Sequence, residues 1–242
     1  MRIKAEKISP IKKKTSVLCA FCFEDESKPI GIGKLSKKID YAILQSTKES
    51  KGKKNSLYII HSHNEIPSEK ILIAGIGKKN KINSDIIRDV SGTITKKINE
   101  LGIQEFSIII PQNISIKSTQ IISSVIEGAN LSLYDFDLFR KEKKSTKESD
   151  LTLITDDKDA QKIIRTALIV SDAVNFTRDV ANLPPNECPP SKLGEIANKI
   201  STQNKMKCTI FSKKEIKSKR LGGVTAVGQG SKNEPRFIIM EY

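Results

Sequence analysis

An α/β fold, with one α/β domain running into the start of a second, is what this sequence predicts. Two observations carry the expectation. Short apolar runs bounded by turn residues alternate with stretches whose apolar residues recur at helical spacing, the pattern of a largely parallel sheet with helices on its faces. The length of 242 residues also suits two domains of roughly 100–150 residues each better than one.

Taken in order, the first element is Val17–Phe23 (VLCAFCF), a nearly all-apolar run that reads as a buried strand. A second apolar run, Leu57–Ile60, ends in His61-Ser62-His63, and a third, Ile71–Ala74, leads into the turn Gly75-Ile76-Gly77-Lys78 and then a helix. That helix is expected over Asp85–Leu101, because Ile86, Ile87, Val90, Ile94, Ile98 and Leu101 form one stripe and Gly102 follows its last turn. Phe106–Ile110 is the next buried strand, stopped by Pro111. Ile121, Ile122, Val125, Ile126 and Ala129 mark the next helix. Residues 1 to about 139 therefore read as one α/β domain.

The charged run Arg140–Asp150 contains no apolar residue and reads as an exposed connection or a loop. A strand at Leu151–Ile154 follows. A helix starting at Asp157 or Asp159 then carries Ile163, Ile164, Ala167, Leu168 and Val174. The division between domains is placed in this segment, giving domains 1–155 and 156–242. Beyond it come a helix from Ser191, a strand at Lys207–Phe211, a glycine-rich loop and a strand at Arg236–Glu241.

Composition narrows the function classes. The chain is 37% hydrophobic and 29% charged, and no apolar run approaches the roughly 20 residues of a membrane span. The start, MRIKAEKISP, lacks the apolar core of a signal peptide, so a cytoplasmic protein is expected. A formal charge of +14 raises DNA as a partner. Against that, the lysines are spread along the chain as pairs between apolar stretches, which favours a solvated surface. The densest runs, Lys12–Lys14 and Lys141–Lys144, fall where loops are expected.

Several residues invite metal or phosphate chemistry and are weighed against plainer roles. Of the four cysteines, Cys19, Cys22, Cys188 and Cys208, the first two have C-x-x-C spacing, yet on a strand they point to opposite faces, and small buried hydrophobes in a reducing compartment are expected. His61 and His63 have no carboxylate at strand spacing and read as a strand-end pair. Glu24–Glu26 and Asp156, Asp157 and Asp159 suit polar turns or helix starts. Gly31-Ile32-Gly33-Lys34 and Gly75-Ile76-Gly77-Lys78 lack the third glycine of a dinucleotide site and the Ser or Thr of a P-loop, so tight turns are expected.

The segment TRDVANLPPNECPP, Thr177–Pro190, followed by LGGVTAVGQGS, Leu221–Ser231, with Pro235, resembles the opening of the catalytic domain of the leucyl aminopeptidase family. Upstream, the strand ending at Gly75, Arg88 on the following helix, and Glu127-Gly128 ahead of Tyr134 and Phe136 extend the resemblance. Physically, Pro184 and Pro185 must end the preceding helix, Arg178 and Asp179 are suited to fix that corner by hydrogen bonds, and Gly222, Gly223, Gly228 and Gly230 are expected at special backbone angles or close approaches. All of these read as scaffold, and no residue of the chain is assigned as catalytic, cofactor-binding or metal-ligating.

The resemblance implies a macro-like α/β N-terminal domain, followed by the beginning of an aminopeptidase domain that hydrolyses N-terminal residues from peptides. It also implies two divalent metals, Mn or Zn, which polarise the scissile carbonyl and supply hydroxide. In the family the lysine and carboxylates that bind them follow the strand corresponding to Arg236–Glu241, so the chain as given is expected to lack them and to be inactive alone. Family enzymes assemble as hexamers; in so short a chain the last strands would expose an edge, which counts against that assembly. The rival expectation is a binding module, for DNA or for a nucleotide or ADP-ribose at the Gly75 turn.

Overall fold

The computed structural model describes residues 1–24, 26, 28–33, 39–43, 52–141 and 149–242. It divides into two compact units, Met1–Phe176 and Thr177–Tyr242.

The first unit is built on a six-stranded sheet of β1 (Arg2–Glu6), β2 (Val17–Cys22), β3 (Leu57–His61), β4 (Lys70–Gly75), β5 (Glu105–Ile109) and β6 (Asp150–Ile154), in the spatial order β1-β6-β5-β2-β4-β3. All neighbours are parallel except β3, which runs antiparallel to β4 at one edge. Helices α1 (Ser84–Glu100), α2 (Ser118–Ser132) and the first part of α3 (Ala160–Asn182) lie on one face. Their apolar stripes meet Cys19, Phe21, Leu72, Phe106, Ile108 and Leu153. The opposite face collects Leu18, Cys22, Ile71, Ile73, Ile109 and Ile154 under Ile32, Ile39, Ile43 and Ile66. Successive strand residues thus feed two separate cores, which is why β2, β4 and β5 read as nearly continuous apolar runs rather than alternating ones.

Helix α1 begins where Asn83 accepts a hydrogen bond from the Ile86 amide, 2.9 Å away. It ends as Gly102, at φ +68°, lets the Ile103 amide reach back to the Ile98 carbonyl at 3.1 Å. Leu101 caps the helix and is exposed rather than part of the buried stripe. Helices α1 and α2 pack at glycine contacts. A side chain at Gly128 would place its Cβ 2.1 Å from the Arg88 carbonyl oxygen, and one at Gly92 would lie 3.2 Å from the Gly128 carbonyl oxygen.

Strand β1 is absent from the sequence expectation. Its five residues, RIKAE, carry only Ile3 and Ala5 as apolar side chains, and it forms because β6 offers a parallel edge in the register Arg2↔Asp150 to Glu6↔Ile154. Lys13 departs from the solvated loop expected of its lysine run. Its side chain is 8% exposed, and its ammonium donates to Glu6 at 2.7 Å. Val174, expected on the buried stripe of α3, is exposed. Of the second lysine run, Lys143 and Lys144 lie outside the described residues with the rest of 142–148, as do Asp25 and Lys34.

In the second unit α3 ends at Asn182, just before Leu183-Pro184-Pro185, as the prolines require. Helix α4 (Pro190–Gln203) packs Gly194 on Ile210 of β7 (Lys207–Phe211), which pairs antiparallel with β8 (Phe237–Glu241). Between them lie α5 (Lys213–Ser218), opened by a Ser212/Glu215 capping box, and α6 (Gly222–Gly228). The glycine-rich stretch is therefore a short helix and not a loop over 222–228. Of its glycines only Gly228 meets a close neighbour, Pro235, whose Cβ would lie 3.1 Å from an added Cβ. Gly222, Gly223 and Gly230 face open space at ordinary backbone angles, so no steric requirement explains them.

Candidate functional site

The residues singled out for metal chemistry are dispersed. Cys19 and Cys22 point into the two different cores, and burial pushes the Cys22 thiol up to about 11, with the Glu26 carboxylate adding to it. Burial raises the Cys19 thiol further still. His61 closes β3 opposite Lys70, while His63 sits in the turn beyond at φ 50°, and the ring centroids are 6.2 Å apart. Asp157 starts α3: its carboxylate accepts the Asp159 amide at 2.9 Å and the Ser118 hydroxyl at 2.6 Å. Glu26 pairs with Lys79 at 2.7 Å. Among the described residues no three His, Cys, Asp or Glu side chains converge to hold a metal ion, so the donor set that a two-metal centre needs is not supplied by them.

The Gly75 turn is a packing device. The Gly75 amide donates to Ser56 O, the Ile76 amide to Cys22 O and the Gly77 amide to Gly52 O, at 2.9–3.0 Å. The amides of Gly75, Ile76 and Gly77 are thus turned to backbone carbonyls rather than to an anion, and α1 starts only at Ser84, after a 3-10 turn at Lys79–Lys81. A Cβ at Gly75 would lie 2.1 Å from the Lys53 carbonyl oxygen, which accounts for the glycine.

Two upstream marks that are far apart in the sequence meet in space. Arg88 Nε donates to Glu127 at 2.7 Å while its Nη1 pairs with Asp85. Burial pulls the guanidinium pKa down, and the two carboxylates more than offset that and raise it. Because Glu127 precedes Gly128, the ion pair lies beside the close approach of the α1 and α2 backbones at Arg88 and Gly128. Its role there is to hold the helix pair.

A cleft of about 590 Å³ opens at the carboxyl ends of the parallel strands. Ile30, Ile109, Ile110 and Ile154 line it, with Lys7 and Asp156 among its polar groups. It lies where the chain leaves β2 toward β4 and leaves β5 toward β6, in opposite directions, the switch point at which open α/β sheets commonly take ligands. Gln112 donates to Asp156 at 2.7 Å, and an adjoining recess of about 320 Å³ reaches Ser118 and Asp157. Sequence reasoning did not find this cleft. Four separate strand-end segments build it, and none carries a motif.

No helix among the described residues is long and apolar enough to cross a membrane.

Comparison with known proteins adds what the geometry does not. Residues 20–143 match the family model described as the cytosol aminopeptidase family, N-terminal domain, and residues 175–242 match that family's catalytic domain. The chain is 36% identical over 242 residues to a probable cytosol aminopeptidase of Cenarchaeum symbiosum, covering 100% of this chain and 48% of that protein. It is 30% identical over 249 residues to one of Roseiflexus castenholzii, covering 100% of this chain and 49% of that protein. It thus spans about half the length of the curated relatives it matches. In fold it is similar to a mutant of tomato leucine aminopeptidase, with TM-score 0.83, 18% identity, and coverage of 99% of this chain and 50% of the other. The bottromycin maturation enzyme BotP in complex with Mn gives TM-score 0.73, 16% identity, and coverage of 94% and 45%.

Proposed function

The chain belongs to the cytosol aminopeptidase family, and from that membership we propose that it forms the N-terminal half of a leucyl-type metallo-aminopeptidase that hydrolyses N-terminal amino acids from peptides. The observation that carries the reading is the order of the two matches: the family's N-terminal domain over 20–143 and the beginning of its catalytic domain from 175.

In this reading residues 1–155 are a non-catalytic α/β domain, and 156–242 form the linking helix and the first elements of the catalytic domain. The catalytic centre uses two divalent ions, Mn or Zn, in keeping with the complex that BotP, an enzyme of similar fold, forms with Mn. The described residues offer no donor set for them, so no step of hydrolysis is derived through this chain's side chains. The ligands and catalytic groups belong to sequence beyond these 242 residues, and the 242-residue chain alone is inactive.

The test compares the purified 242-residue chain with a version extended to about twice its length, using leucine p-nitroanilide and manganese. Metal-dependent turnover by the extended chain alone is the expected result. Turnover by the short chain would overturn its assigned inactivity, and silence from both would overturn the aminopeptidase reading.

A further inference from the structure

We propose that the crevice at the carboxyl ends of β1, β2, β5 and β6 binds a free apolar L-amino acid as its zwitterion. The choice of ligand rests on the aminopeptidase reading, since such an amino acid is what that reaction releases; the site itself rests on geometry. The lining from Ile30, Ile109, Ile110 and Ile154 suits a branched aliphatic side chain, and a volume of about 590 Å³ is ample for one small molecule.

Charge selects the rest of the ligand. Strands β1 and β6 end side by side, with Glu6 in register with Ile154 and the Thr155 amide donating to the Glu6 carbonyl at 3.1 Å. Lys7 and Asp156 therefore leave adjacent strands into the same cleft. Neither pairs with the other: among the described residues neither Lys7 nor Asp156 forms an ion pair, and Asp156 accepts a hydrogen bond from Gln112. An ammonium and a carboxylate in one cleft, each left open, complement a ligand that carries both charges. A phosphate-bearing ligand could meet Lys7 but would bring no ammonium for Asp156, and its greater negative charge would be opposed by Asp156 and, in the adjoining recess, Asp157. Bound here, released amino acid would act on the N-terminal domain.

The experiment follows amide resonances of the 242-residue chain during titration with L-leucine. The same titration is run with N-acetyl-leucine, which lacks the ammonium, with leucinamide, which lacks the carboxylate, and with AMP. Saturable shifts centred on Ile110, Asn113 and Asp156 are expected with leucine, and both blocked forms and the Asp156→Asn chain are expected to bind at least about tenfold more weakly. A spectrum of Asp156→Asn that otherwise overlays on the parent distinguishes lost binding from lost folding. No saturable shift at these residues, equal binding of all three leucine compounds, or saturation by AMP alone would each overturn the proposal. Because no peptide is cleaved, the result is independent of whether the longer protein is an aminopeptidase.

Discussion

Gly128 is where a single added carbon should matter most. Its Cβ would enter the Arg88 carbonyl oxygen, backbone that cannot swing away, so Gly128→Ala is expected to cost about 1–3 kcal/mol in urea unfolding. Gly222→Ala, in open space, should cost nothing or stabilise slightly through better helix propensity. Glu6 gives a pH-dependent case. Hydrogen bonds from Lys13, then Lys4, hold its carboxyl below the ordinary value of 4.5. Its contribution is therefore full above that value and is lost as pH falls through the lower folded value. Unfolding of the parent and Glu6→Gln chains should differ at pH 6 and converge as acid protonates the group, and a gap that widens below pH 4.5 would refute this. Of these residues, the sequence marked Arg88, Glu127 and Gly128 only as points of resemblance. Their contact spans 39 positions, and no local pattern reports it.

At the level of elements, the long helices and buried strands were legible because periodicity and burial agree within each. Asn83, as the cap of α1, should lose about 1 kcal/mol on replacement by alanine, measured by thermal unfolding. Strand β2 makes a chemical prediction: Cys19 and Cys22 are buried, while Cys188 and Cys208 are half-buried, so a thiol reagent at pH 8 should modify the latter pair first and reach the former only on unfolding. Rapid modification of all four would contradict the strand assignment. Strand β1 escaped notice because a charged five-residue edge strand exists only through its partner. Helix α6 escaped because four glycines among eleven residues look like a loop, whereas GGVTAVG in fact turns helically.

Across the whole molecule, the alternation of strands and helices foretold a mainly parallel sheet, and the NLPP stop foretold where α3 ends. Strand order could not be foretold. Neither could the crevice that depends on it, since the loops lining that crevice follow strands distant in sequence and neutral in motif. Family membership rests on both domains matching in order, and the central proposal is that these 242 residues correspond to the first half of an aminopeptidase of the relatives' length. The most direct measurement is the intact mass of the native protein from its own cells, captured with an antibody raised against Asp85–Gly102. A mass near twice 26.9 kDa is the expected result, and a native protein of 26.9 kDa would contradict the claim.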